Sequence, residues 1–234
     1  MLFQATLMFR LGDFVEKCYY DGGIPKDAKF RPFNNGHAKD PPLLRSRGVN
    51  RILIYPGSFN PPHKGHMQLL NHVFHNAGDD LQIAAAIILP VDDVRLAIKT
   101  RHEKRTLVLP RERRNELWRS SGVLTDRIWL CDRSESDWEK LKKKLEDKFR
   151  EKNVEVKFIL LGGPDWVNST RIPEPAYWGC TDVITSDVSR PVNYRYGNTL
   201  CQLSSCTAWE KPRFDPERLQ KQIRARMRGK SRQG

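Results

Sequence analysis

The chain has 234 residues, 38% of them hydrophobic, which is enough for one full core and too apolar for a disordered polymer. The longest apolar run, Ile83–Leu89, is stopped by Pro90 well short of a bilayer span, so a soluble protein is expected. A net charge of +13 favours polyanionic partners, but nucleic acid, a nucleoside triphosphate and a membrane surface all satisfy it equally.

In chain order, residues 1–20 lack the basic start and cleavage site of a secretory signal, and Asp13 and Glu16 argue against a transit peptide. The reading is cytoplasmic or nuclear. Residues 20–50 are rich in Gly, Pro, Asn and Lys and predict an extended or loop segment able to wrap over the core. A strand over 51–56 leads into the turn "GSFNPP" and a helix over 63–77, with Leu69, Leu70, Val73 and Phe74 on its apolar face. Next come a strand over 81–91, a helix over 110–120 opened by Pro110, and a strand over 126–132. Ser136 and Glu139 form a capping-box pattern for a helix over 137–152, striped by Trp138, Leu141, Leu145 and Phe149. Strands over 154–163 and 181–189 complete the set. Asp215 and Pro216 open a last helix before the basic tail "RARMRGKSRQG".

Strands alternating with helices specify a parallel sheet covered on both faces, an α/β doubly wound architecture. The organisation read from this is an N-terminal extension (1–50), one domain (51–210) and a basic C-terminal helix and tail (211–234). The five cysteines are scattered without a C-x-x-C pair and read as reduced structural thiols.

In an open parallel sheet, ligands sit at the carboxyl ends of strands, and a helix N-terminus there offers free amides and a positive dipole end to an anion. Gly57 permits close backbone approach, while Pro61 and Pro62 fix the turn without needing amide donors. His63 and His66 lie one helical turn apart and can both donate to phosphate, with Gly65 leaving room between them. The plainer readings are a single helix-start histidine, or a metal site shared with His72 and His75. The latter lacks an interleaved carboxylate or cysteine, so no metal site is assigned.

At Gly57, Phe59, Asn60, Pro61, His63, Gly65 and His66 the chain resembles the H-x-G-H nucleotidyltransferases, the cytidylyltransferase-like superfamily, and within it the NMN adenylyltransferases. "LLGGPDWVNSTRIPEPAYW" is similar to that branch's nucleotide-binding segment, placing Asp165 and Trp178 at its binding positions. "VITSDVSRP" is similar to the strand that precedes a binding arginine, here Arg190. The resemblance implies a Rossmann-like fold and transfer of AMP from ATP, carried with Mg2+, to the phosphate of NMN, releasing pyrophosphate without a covalent intermediate. His63 and His66 would be catalytic. Gly57, Ser58, Phe59, Gly65, Asp165 and Arg190 would bind ATP, and Trp178 and Lys99 would bind the acceptor. Trp178 reads alternatively as core beside Tyr177; Arg113 and Arg114 as acceptor-phosphate ligands or an exposed helix face; Lys64 as a phosphate contact or solvent-facing.

One departure stands out. The family's second phosphate signature, Ser-Ser-Thr-x-x-Arg, has as its nearest string "LSSCTAWEKPR", where Cys206 replaces threonine, Trp209 stands at the arginine position and Arg213 is out of phase. An ATP-binding regulatory or scaffold protein therefore remains as the alternative to an enzyme, and nucleic-acid binding is the weakest reading. The sequence leaves NMN against nicotinate mononucleotide, and the oligomeric state, open.

Overall fold

Along the chain, β1 (Met8–Arg10), α1 (Leu11–Tyr19) and β2 (Leu43–Arg45) precede β3 (Asn50–Gly57), α2 (Lys64–Asn76), β4 (Ile83–Pro90), α3 (Asp93–Thr100) and α4 (Arg111–Arg119). β5 (Ile128–Leu130), α5 (Glu135–Glu151), β6 (Val156–Leu161), β7 (Asp182–Ile184) and the short pair β8 (Arg195–Tyr196) and β9 (Thr199–Leu200) follow. The computed structural model describes residues 6–20, 23, 29–77, 81–102, 107–167, 175–203 and 206–210. It divides into residues 1–204 and residues 205–234. In the second unit 206–210 are described and carry no regular structure. The helix read from Asp215 and Pro216, the basic tail, Ser204, Ser205 and Arg213 lie outside the described residues.

The five predicted strands pair in the order β5-β4-β3-β6-β7, every neighbour parallel. Period-2 alternation sends Ile52, Ile54, Ala85, Ile87, Phe158 and Leu160 to one face and Leu53, Tyr55, Ala86, Ile88, Ile159 and Leu161 to the other. Both sets are buried, which explains why the strands read as continuous apolar runs. α1 and α5 cover the first face with Leu96 of α3; α2 and Trp118 of α4 cover the second. This is the doubly wound Rossmann-like sheet.

Three local features depart from the sequence reading. α5 begins two residues early: Ser134 Oγ accepts from the Asp137 amide at 3.1 Å, and the Trp138 amide donates to the Ser134 carbonyl at 2.9 Å. Ser134, not Ser136, is the cap; two overlapping Ser-x-x-acid patterns were available, and the earlier one wins because helical bonding already starts there. Second, α3 was not foreseen. Third, α1 and the segment after it are part of the core. The Phe14 ring meets Phe149 of α5 at 5.1 Å, and buried Phe33 meets Trp129 of β5 at 5.7 Å. Glu16, 6% exposed, accepts from Arg31 at 2.5 and 2.7 Å and from Asn35 at 2.7 Å, which ties the segment to α1.

Candidate active site at the carboxyl ends of the strands

From β3 the chain winds outward through β4 to β5, then returns to β6 on β3's other side, so the strand order reverses between β3 and β6. The crevice at that reversal is where a ligand fits an open α/β sheet. A cavity of about 310 Å3 lies there, lined from β3's end by Gly57, Ser58 and Phe59 and from α2 by Gly65 and His66. His63, Lys99 of α3, and Asp165 and Arg190 from the loops after β6 and β7 also line it. Nine of the ten residues expected at a site thus converge on one cavity.

Local chemistry explains the turn. A Cβ on Gly57 would stand 2.7 Å from the Phe59 ring, so only glycine fits. Phe59 takes φ 44°, in the left-handed region, and its ring is wedged against Tyr55, Trp118 and His66 at centroid separations of 5.1, 5.0 and 5.0 Å. Asn60 staples the turn to the segment before α4: its Oδ1 accepts from the Leu109 amide at 2.8 Å and its Nδ2 donates to the Leu107 carbonyl at 2.7 Å.

The two histidines cap α2 reciprocally. His63 Nδ1 accepts from the Gly65 amide at 3.1 Å, and His66 Nδ1 accepts from the His63 amide at 3.2 Å, with the rings stacked at 3.7 Å. Because each Nδ1 is an acceptor, the proton of each neutral ring sits on Nε2, the nitrogen left to donate to a ligand. Burial, reinforced by His63, Arg190 and Lys99 against the opposing pull of Asp165, pushes His66 down to about 4. At neutral pH it is therefore an uncharged hydrogen-bond donor. Positive charge comes instead from Lys99, whose Nζ lies 3.3 Å from Ser58 Oγ, and from Arg190, which is ion-paired with Asp165. That pair is half exposed (53% and 52%), worth at most about 1 kcal/mol and exchangeable for a phosphate. Among the described residues no cluster of three or more His, Cys, Asp or Glu could hold a metal, and Asp165 is the one carboxylate lining the cavity.

Residues 54–170, half of the chain, match the cytidylyltransferase-like family. The chain belongs to that family, and with it to the nucleotidyltransferase superfamily. The matched segment of this cytidylyltransferase-like chain holds the turn after β3, both histidines and Asp165; Trp178 and Arg190 lie beyond it. No curated protein matches. Among solved structures, Plasmodium falciparum nicotinic acid mononucleotide adenylyltransferase complexed with NaAD is similar over 50% of this chain and 53% of that one, at 16% identity and a TM-score of 0.30. The chain thus spans about half the length of that protein.

Trp178 is the expected site residue that the cytidylyltransferase-like fold does not bring to the first cavity. It is 6% exposed, packed edge-on to Tyr177 at 5.2 Å, and it lines a second cavity of about 640 Å3 with Trp138, Glu135 and Asp92. The tryptophan lining the first cavity is Trp166. Arg95 lies over the Tyr177 and Trp178 rings, at 4.8 and 5.4 Å, and donates to Glu135 at 2.6 Å. Within "RERR", Arg113 is exposed and pairs with Glu116, whereas Arg114 is fully buried, so neither alternative read for Arg114 from the sequence holds. Lys64 is exposed and does not line the cavity. Asn60 and Arg114 are structural contributors that sequence reasoning missed. Asn60 stood inside the motif, and its side-chain reach to Leu107 and Leu109 was the unread part.

Proposed function

We propose that the chain transfers an AMP group from ATP, bound with Mg2+, to the phosphate of a mononucleotide, with NMN the leading acceptor. The observation that carries this is the pairing, in one cavity at the strand reversal, of two Nε2–H donors at the start of α2 with the cations Lys99 and Arg190. In the reaction an acceptor phosphate oxygen attacks the α-phosphorus of ATP. The bond to the β-phosphate bridging oxygen breaks, and pyrophosphate leaves with the electron pair. Donors fixed in place stabilise charge gathering on the phosphoryl oxygens without reorganising. His66 does this as a neutral donor, leaving charge compensation to Lys99, Arg190 and the metal.

α3 separates the two cavities: Leu96, Lys99 and Thr100 line the first, while its cap Asp92 lines the second. The ring of NMN is flat, and the Trp178 wall of the second cavity suits such a ring by stacking, while Glu135 and Asp92 beside it are held by Arg95 and Arg111. The deciding assay combines purified protein, ATP, Mg2+ and NMN and reads NAD and pyrophosphate together. Stoichiometric appearance of both supports the reading; neither appearing, with ATP still bound, supports a nucleotide-binding regulator. Trp209 at the expected arginine position favours that second reading.

A further inference from the structure

Arg114 of α4 has no exposed side-chain surface. Burying a guanidinium is costly unless it is thoroughly hydrogen-bonded, and a hydrophobe would pack α4 on the sheet as well. What Arg114 adds is a set of bonds to three separate segments. Nε donates to the Leu109 carbonyl at 3.0 Å and Nη1 to the Ser58 carbonyl at 2.7 Å. Nη2 donates to the Val91 carbonyl at 2.8 Å and to Asp93 Oδ1 at 2.7 Å. The segment before α4, the phosphate turn and the start of α3 are joined at one planar group.

The bond to Ser58 has a directional consequence. In a planar trans peptide the C=O and N–H point opposite ways, so fixing the Ser58 oxygen toward Arg114 aims the Phe59 N–H away from it. Phe59 lines the first cavity and holds φ 44°, a conformation that a non-glycine residue adopts only when its surroundings enforce it. Rotation of the 58–59 peptide is the natural relaxation of such a turn, and the Arg114 bond opposes it. Through Asp93, the first residue of α3, the same guanidinium also sets the helix that carries Lys99 to Ser58.

We propose that Arg114 is a positioning residue that clamps the Ser58–Phe59 peptide, so that the Phe59 amide stays presented as a phosphate donor in the cavity. This rests on the phosphate-binding reading above, but not on ATP or NMN being the ligands. The test uses inorganic tripolyphosphate as probe on the full chain, followed by calorimetry and by the Phe59 amide resonance. Wild type is expected to bind with a shift of that resonance. Arg114→Lys keeps the charge but cannot reach four acceptors, and should weaken binding about tenfold or more, as expected for loss of a charge-assisted, oriented contact, and move the Phe59 amide before any ligand is added. Leu145→Ala, in the core under α5 and remote from the turn, should lower the melting temperature yet keep tripolyphosphate affinity, separating orientation from general stability. Arg114→Met, which loses every donor, should weaken binding at least as much; if it does not fold, the Lys variant still decides. Equal affinity in Arg114→Lys and wild type, or an unmoved Phe59 amide, overturns the proposal, as does wild type that fails to bind tripolyphosphate. Wild type that binds tripolyphosphate through Phe59 but forms no NAD from ATP and NMN would uphold the clamp while refuting the adenylyl-transfer reading.

Discussion

In the proposed chemistry His66 acts by being uncharged and oriented at once: burial disfavours its protonated form and the His63 amide fixes which nitrogen keeps its hydrogen. His66→Ala should therefore lower turnover by about two or more orders of magnitude, the cost of one preorganised donor, with the far-ultraviolet spectrum unchanged. Near-normal turnover in the folded variant would remove His66 from the chemistry. At Trp178 and Trp166 the expectation is a split: Trp178→Ala should raise KM for NMN more than for ATP, and Trp166→Ala the reverse. A pure loss of melting temperature in Trp178→Ala, with both KM values intact, would make that tryptophan core only. The H-x-G-H segment was legible because its spacing alone brings His63, the cap, and His66, in the first turn, together at the start of α2. Arg114 was not, because a run of charge reads as a solvated face until the neighbouring carbonyls are known. The two tryptophans, twelve residues apart in "GGPDWVNSTRIPEPAYW", could not be assigned to separate cavities from spacing.

At the scale of elements, the sheet was readable because strands buried on both faces leave uninterrupted apolar runs, whereas α3 was hidden by its surface. It has eight residues, buries only Leu96 deeply, and exposes Val94 (73%) and Ile98 (68%), so no helical stripe stands out. α1 was hidden differently: its partners Phe149, Arg31 and Asn35 come from elsewhere in the chain. The cap of α5 makes a direct test of the revised boundary. Ser134→Ala should cost about 1 kcal/mol of unfolding free energy, and Ser136→Ala clearly less, since Ser134 is the acceptor for the helix amide. Urea denaturation of the two variants side by side checks it; the opposite ranking would restore the later start.

For the whole molecule, the neutral state of His66 makes stability depend on pH in a defined direction. Its proton affinity falls from 6.5 in the unfolded chain to about 4 in the fold, so the unfolded state binds more protons between those values. The contribution is fully present above pH 6.5, is lost as pH falls toward 4, and is constant below. Its size is on the order of 2 kcal/mol after allowance for residual solvent screening. In His66→Gln the change in urea midpoint between pH 7 and pH 4.5 should be smaller than in wild type; an identical change would mean that other groups carry it. Cys131 and Cys180 are not expected to contribute, since burial pushes both thiols up to about 12. The net charge of +13 was visible from the start, yet it did not distinguish a phosphate site from a diffuse polyanion surface. Only the convergence of Lys99 and Arg190 beside the histidines gives part of that charge an address.

α3 gives one wall to each cavity, and that shared wall has a thermodynamic consequence. Asp92, at its start, accepts from Arg111 at 2.6 Å and from the Glu135 amide at 3.2 Å, while Lys99, near its end, reaches Ser58 in the turn after β3. A ligand that draws Lys99 toward the first cavity acts on the same short rod that borders the second, so the two binding equilibria are expected to share a coupling free energy. Linkage then requires reciprocity: whatever factor ATP applies to the affinity for NMN, NMN must apply to the affinity for ATP. Titrating each ligand with and without saturating amounts of the other should give equal factors above one, whereas a factor of one in both directions would show that α3 is a rigid partition and the two cavities fill independently.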